Sequence, residues 1–343
     1  MQKSDTQLLK GIAILMMLWM HLFSDEATIT HYTAFIPFFG DKPLTFALTK
    51  IVSSCVPIYI FLGGYGLGIT CRNSQGQMHN GRRALSLMVN FWTVCLLFIP
   101  IGCVLQPAVY PGSPMLLLLN LTGISWSYNL AWWFLLPYVL LTLCSRPIIK
   151  MLFAAGTKTT IAIMAVLLVL HVWAYDTKDH LIIFFNSPMR ILVTMLDFCY
   201  MLFTFCIGVL FVKYSWFNAI RTFLGRQSRP LLVAALLLLC FVKMLLGGSR
   251  LLDLPFILLF LPLLLNIGLQ ESRIATTILP FLGQHSTNMW FTHNFFCFHF
   301  FGSYIYGLRY PLLIFLALIA VSVACSYVIN IIYNPIKKRI RKT

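Results

Sequence analysis

Charge is what this chain lacks. Only 10% of its 343 residues are Asp, Glu, Lys or Arg, and only 9 are acidic, against about 25% charged residues in an ordinary soluble domain. So few charges cannot cover a soluble surface, which excludes a cytosolic enzyme, a secreted domain and a disordered chain. Metal-binding patterns are missing as well. There is no C-x-x-C pair and no Cys/His cluster at zinc spacing, and all ten cysteines lie in or at the ends of apolar stretches. They read as small membrane-buried hydrophobes, with no metal site and no disulfide expected. No small-x-small cleavage site follows the first apolar run, and Trp19, His21 and Phe23 suit a cleavable leader poorly. The segment from Met1 to Phe23 therefore reads as a retained first membrane helix.

What is present is apolar length: 59% of the residues are hydrophobic. A membrane helix needs about 20 mainly apolar residues. Ten segments qualify: about 7–24, 45–69, 85–105, 127–145, 159–176, 191–212, 230–247, 251–269, 278–304 and 311–333. Segment 113–124 is short and apolar, and reads as re-entrant or interfacial. The expected fold is all-α and polytopic, a single transmembrane domain over 1–343 with no soluble domain.

The net charge of +16 would suggest nucleic acid in a soluble protein. Here the basic residues cluster between apolar runs, so no nucleic-acid partner is expected. With the N-terminus inside, 18 Lys and Arg fall on the inner side and six on the outer, with Lys243 inside a span. That bias supports an N-in, C-in orientation in an inner membrane. The tail from Lys337 reads as an anchor touching anionic headgroups.

Polar residues inside apolar spans are costly and therefore functional candidates. Lys10 and His21 lie about 20° apart around a helix axis and about 16 Å apart along it. Asp25 follows His21 at i+4 and could orient the imidazole if the helix continues. The plainer alternative makes His21 an interfacial histidine and Lys10 a positive-inside anchor. The loop carrying Arg72, Arg82 and Arg83 could grip phosphates, or could only record the positive-inside bias. Trp132, Trp133 and Tyr138 are either an outer aromatic belt or a stacking wall for a sugar ring. The stretch LGQHSTNMWFTHNFF brings Ser286, Asn288 and His293 into one span, too dense a polar set to be explained by packing alone. Asp197, Lys243 and Asp253 are further intramembrane or interfacial charges that the sequence does not pair. His31, His171, His180 and His299 read as loop or interface residues.

Taken in order, LLKGIAILMMLWMHLF, PIYIFLGGYGLG, AWWFLLPY, DFCYMLFTFCIGVLF and LGQHSTNMWFTH resemble the motifs of the acyltransferase 3 family, the membrane-bound O-acyltransferases of the O-antigen and exopolysaccharide type. Two positions depart from the family pattern. Lys10 stands where Arg is usual, keeping the charge but losing the bidentate fork. Gly63 or Gly64 stands where Ser is usual, removing a hydroxyl.

The resemblance implies an enzyme of the bacterial inner membrane. It would take an acyl group, most often acetyl, from cytoplasmic acyl-CoA and pass it to a hydroxyl of an extracytoplasmic or lipid-linked glycan. Acyl-CoA, typically acetyl-CoA, would be a co-substrate, with no tightly bound cofactor. Lys10, Arg72, Arg82 and Arg83 would meet its phosphates. His21, with Asp25, would be the catalytic base. Ser286, Asn288 and His293 would serve the oxyanion or the acceptor, and Trp132, Trp133 and Tyr138 the sugar. Besides the bilayer, acyl-CoA and the glycan, the sequence leaves room for a homo-oligomer. The competing reading is a multi-pass transporter or flippase of a glycan-related solute, although the sequence shows no paired interrupted segments in two halves.

Overall fold

A computed structural model describes residues 1–32, 37–181, 190–247 and 249–342. The side chains of residues 31–32, 179–181, 274 and 341–342 fall outside the description, and the expectations for His31 and His180 fall outside it with them. The described chain is built of helices: α1 Lys3–Phe23, α2 Glu26–Tyr32, α3 Leu44–Val52, α4 Cys55–Asn73, α5 Asn80–Leu105, α6 Pro114–Leu121, α7 Leu135–Ala154, α8 Thr157–Leu181, α9 Arg190–Lys213, α10 Trp216–Leu224, α11 Arg229–Leu246, α12 Asp253–Asn266, α13 Arg273–Asn294, α14 Gly302–Tyr306 and α15 Pro311–Lys342. One antiparallel ribbon of two residues a side, Phe38–Phe39 against Lys42–Pro43, interrupts them.

The protein is an all-α polytopic membrane protein. Among the described residues, eight helical stretches are long and apolar enough to cross a bilayer: Lys3–Phe23, Leu44–Asn73, Asn80–Leu105, Leu130–Ala154, Thr157–Lys178, Arg190–Lys213, Arg229–Leu246 and Pro311–Ile340. They match eight of the ten expected spans. The other two fall short for different reasons. α12 has only 14 residues, about 21 Å of rise. α13 is long enough but polar, and His285, Ser286, Asn288, Thr292, His293 and Asn294 are all buried. Its polar face is turned into protein, as intramembrane polar groups require. Segment 113–124 contains α6, eight residues capped by Ser113. A helix of about 12 Å cannot span, and the exposed Met115 and Leu118 suit an interfacial element.

The chain divides into two compact units, residues 1–59 with 215–326 and residues 60–214 with 327–343. In the first unit, α1 packs along α13. Gly11 lies against the Leu279 carbonyl and Gly283 against the Gln7 carbonyl, so close that a Cβ on either would collide with backbone. Small residues permit this approach between membrane helices. Further along, His21 meets Asn294. Contacts thus advance in the same direction on both helices, so α1 and α13 are parallel. The same unit buries an ion pair of Lys243 and Asp253 at 2.8 Å, and the Ser54 hydroxyl donates to the same carboxylate oxygen at 2.7 Å.

The second unit pairs Lys178 on α8 with Asp197 on α9. Its α4 residues approach α9 through glycine, Gly64 facing the Phe205 carbonyl and Gly208 the Phe61 carbonyl. His171 corrects an expectation. It is buried, stacks on Tyr200 with ring centroids 4.4 Å apart, and lies 2.7 Å from the Tyr200 carbonyl through Nδ1, so it is a packing residue.

Candidate active site

The first unit holds a compact polar centre on α1 and α13. His21 sits two residues before the C-terminus of α1, half-buried. Its Nδ1 lies 2.9 Å from Oδ1 of Asn294, a fully buried amide at the end of α13. An amide oxygen only accepts, so Nδ1 carries the proton and Nε2 keeps its lone pair. The Cys297 thiol also donates to Asn294 Oδ1, at 3.8 Å.

His293 lies beside this pair, its ring edge-on to that of His21 with centroids 4.7 Å apart. It is fully buried. Its Nδ1 lies 3.0 Å from the Met289 carbonyl and 2.9 Å from the Trp290 carbonyl, which fixes the proton on that nitrogen too. His293 Nε2 has no hydrogen-bond partner among the described residues. Two neighbouring imidazoles therefore share one tautomer, each with an acceptor nitrogen at Nε2. Such a nitrogen can take a proton from a hydroxyl. It cannot donate to an oxyanion unless it first gains a proton.

Asn294 was not among the expected catalytic residues, and Asp25 stands corrected as the orienting group. α1 ends at Phe23, so Asp25 does not continue one turn beyond His21. Its carboxylate instead accepts from the Thr28 N–H at 3.1 Å and from the Thr28 hydroxyl, capping α2. Those two hydrogen bonds, the hydroxyl's first, hold the Asp25 carboxyl below the usual carboxylate range.

The other α13 residues are engaged in packing. The Ser286 hydroxyl donates to the Gly283 carbonyl at 2.9 Å. The Asn288 amide donates to the Ser326 hydroxyl at 3.0 Å, which also meets His285 Nδ1 at 2.8 Å. Lys10 lies half-buried on α1. Its carbonyl accepts from the Tyr59 hydroxyl at 3.1 Å, and its ammonium has no ion-pair partner among the described residues.

The remaining expected residues belong to the second unit. Arg72, Arg82 and Arg83 are exposed around the α4–α5 connection. Arg83 donates to the Thr70 hydroxyl at 3.3 Å and Arg72 to the Val212 carbonyl at 3.4 Å. Trp132 is fully buried, edge-on to Phe91 at 4.8 Å, and gives no face to a sugar. Trp133 receives the Lys178 ammonium at 4.5 Å from its ring centroid. Tyr138 stacks at a tilt on Phe134 at 5.2 Å, and its hydroxyl would lie 3.2 Å from a Cβ on Gly63. The missing serine thus has a local reason. At Gly64 no side chain fits against α9, and at Gly63 one would crowd Tyr138.

A family model described as an acyltransferase domain, acyltransferase 3, matches residues 5–331, nearly the whole chain. The chain belongs to this family and is an acyltransferase. Neither the comparison with curated proteins nor that with solved structures returned a significant match.

Proposed function

We propose that this member of the acyltransferase 3 family carries an acyl group, most often acetyl, from cytoplasmic acyl-CoA to a hydroxyl of an extracytoplasmic or lipid-linked glycan in the bacterial inner membrane, with His21 as general base. The observation that carries the proposal is the Asn294 amide on His21 Nδ1 at 2.9 Å. It leaves Nε2 unprotonated and fixes the ring, as a base must be fixed.

In this reading His21 Nε2 takes the acceptor hydroxyl's proton as its oxygen attacks the thioester carbonyl. The new C–O bond forms and the C–S bond breaks. The proton then passes from His21 to the departing CoA thiolate, leaving the base neutral for the next cycle. His293 Nε2 accepts a hydrogen bond from a neighbouring hydroxyl of the acceptor and so orients the attacking one. Lys10, with no ion-pair partner among the described residues, offers its ammonium to a CoA phosphate. Lys10 to His21 is about 16 Å of helix, comparable with the reach of an extended pantetheine arm. Arg72, Arg82 and Arg83 supply further cationic contacts if their loop is cytoplasmic. The positive-inside bias of the sequence supports an orientation with all four on the donor side.

The test is acyl-CoA-dependent thiol release by the purified protein in detergent or nanodiscs. His21→Ala should lower kcat by about 10²–10⁴-fold while acyl-CoA still binds. Wild-type turnover by a folded His21→Ala protein would reject the base. Lys10→Glu should raise KM for acyl-CoA by about tenfold or more and leave the acceptor KM near its original value. Unchanged donor dependence would reject the phosphate contact.

A further inference from the structure

Beyond the histidines, α13 does not simply run on. Residues Phe295–His299 form a π-turn, closed by the Phe300 N–H on the Phe295 carbonyl at 2.8 Å. Single π-turns are rare and concentrate at functional sites. This one rims an open cleft of about 360 Å³ lined by Thr28, Cys297, Phe298, His299, Phe300, Gly302, Ser303 and Tyr306. The size lies at the lower end of small-ligand sites, about 300–1,000 Å³.

Three observations tie the cleft to the reacting centre and to one ligand chemistry. The first is position. Phe298 lies with its ring centroid 6.4 Å from that of His21. Cys297 donates to the Asn294 oxygen that holds His21, and the Tyr306 hydroxyl donates to the Leu22 carbonyl at 3.0 Å, next in chain to His21. The second is charge. No lining residue bears a fixed charge, so nothing there would hold the phosphates of a nucleotide or a carboxylate. The third is texture. The Phe298 ring is half exposed, Ser303 presents a short hydroxyl, and the Thr28 hydroxyl, whose proton goes to Asp25, offers its oxygen as an acceptor. An aromatic face beside small hydroxyls suits a ligand with an apolar face and a polar edge. An uncharged pyranose has both.

We propose that this cleft is the acceptor subsite and that it takes a neutral saccharide ring. The ring lies with one face on Phe298 and its edge on Thr28 and Ser303, one hydroxyl directed to His21. The proposal rests on the reading of His21 as base and adds where the acceptor sits and which acceptors it refuses: uronates and phosphorylated sugars.

The experiment pairs a panel of neutral methyl pyranosides with the matching methyl uronates. Binding is read by saturation-transfer NMR on the full chain in nanodiscs, and turnover by pyranoside-dependent thiol release from acetyl-CoA. At least one neutral pyranoside should bind and stimulate release, and its uronate should do so about tenfold less well. Ser303→Trp, at an exposed position, should fill the cleft and raise the pyranoside KM by about tenfold or more with the acetyl-CoA KM within about twofold. Phe298→Leu, should the tryptophan variant not fold, should raise the same KM.

No binding by any neutral pyranoside, equal use of the uronates, or an unchanged pyranoside KM in both variants would overturn the proposal. The two readings fail separately. A His21→Ala protein with wild-type turnover sinks the base while pyranoside binding that Ser303→Trp abolishes keeps the subsite. An inactive His21→Ala protein beside a Ser303→Trp protein with wild-type acceptor KM does the reverse.

Discussion

Asn294 holds His21. The amide oxygen of one lies 2.9 Å from Nδ1 of the other, across 273 positions of sequence, and this contact chooses the imidazole's tautomer. The partner that orients a metal-bound histidine is worth about 10–100-fold, and an effect of that order is expected for this imidazole. Asn294→Leu should therefore lower kcat by about that factor with little change in the acyl-CoA KM. Asn294→Asp should keep the geometry and place a carboxylate beside the ring, which favours the imidazolium and raises its pKa. Activity is lost as pH falls through that pKa, so the acid limb of the rate profile should move to higher pH. An acid limb at the wild-type position in Asn294→Asp would refute the coupling.

His293 offers a second test within 4.7 Å of the first ring. His293→Phe fills the same space without Nε2, so a packing role predicts a folded, active protein. A role in orienting the acceptor predicts a rise in acceptor KM of about tenfold, with acyl-CoA hydrolysis in the absence of acceptor unchanged. Steady-state kinetics against each substrate in turn separates the two.

The sequence carried some of this centre and hid the rest. Helical spacing alone put Lys10 and His21 on one face of α1, and the density of polar residues marked α13. Both signals are local, and local spacing also made Asp25 attractive at i+4. What defeated Asp25 is a helix end at Phe23, and what replaced it is a contact between chain segments far apart in sequence. Periodicity has no access to such contacts. The same limit applies to Lys243, ten positions from Asp253 but on another helix, and to Trp132, whose burial depends on Phe91. The segment 278–304 read as one continuous span because its composition beyond Asn294 is mainly apolar and aromatic. The π-turn at Phe295–His299 leaves no mark in composition.

Asp25 gives a pH prediction of its own. Its carboxyl is held low by the Thr28 hydroxyl and N–H, so its contribution to the α2 cap is present at neutral pH. That contribution is lost as pH falls through the depressed pKa. Asp25→Ala should fray α2, seen as faster amide exchange over Glu26–Ile29, and that difference from wild type should fade in acid. At saturating acceptor, kcat should stay within about threefold of wild type, any loss through Thr28 showing in the acceptor KM. A loss of about a hundredfold or more would instead restore Asp25 to the catalytic role that its place in sequence suggests.

The α1–α13 crossing rests on two glycines without room for a Cβ. Gly283→Ala would drive a methyl into the Gln7 carbonyl, and the helices must part or shift. Overpacking of this kind costs about 1–3 kcal/mol. The larger effect should be kinetic, because His21 and Asn294 sit on the two helices being separated, and a displacement of about 1 Å can cost about a hundredfold in rate. Gly66→Ala is the control, since a Cβ there meets nothing within 4 Å. Equal thermal midpoints and equal turnover for the two variants would contradict the tight crossing.

Lys243 and Asp253 form a pair in which each side chain is at most 3% exposed, and Ser54 adds a hydrogen bond to the same carboxylate oxygen. Removing one partner leaves the other charge buried without compensation, which typically costs about 3–5 kcal/mol. Replacing both by apolar groups of similar volume is often neutral or stabilising. Lys243→Met should therefore lower the thermal midpoint sharply. Lys243→Met with Asp253→Leu should recover most of the loss, the remainder reporting the stranded Ser54 hydroxyl, which Ser54→Ala in the same background should relieve. If the double variant were no more stable than Lys243→Met alone, the two charges would not be acting as a pair. If it were stable but inactive, the pair would serve the reaction and not only the packing of α11 against α12.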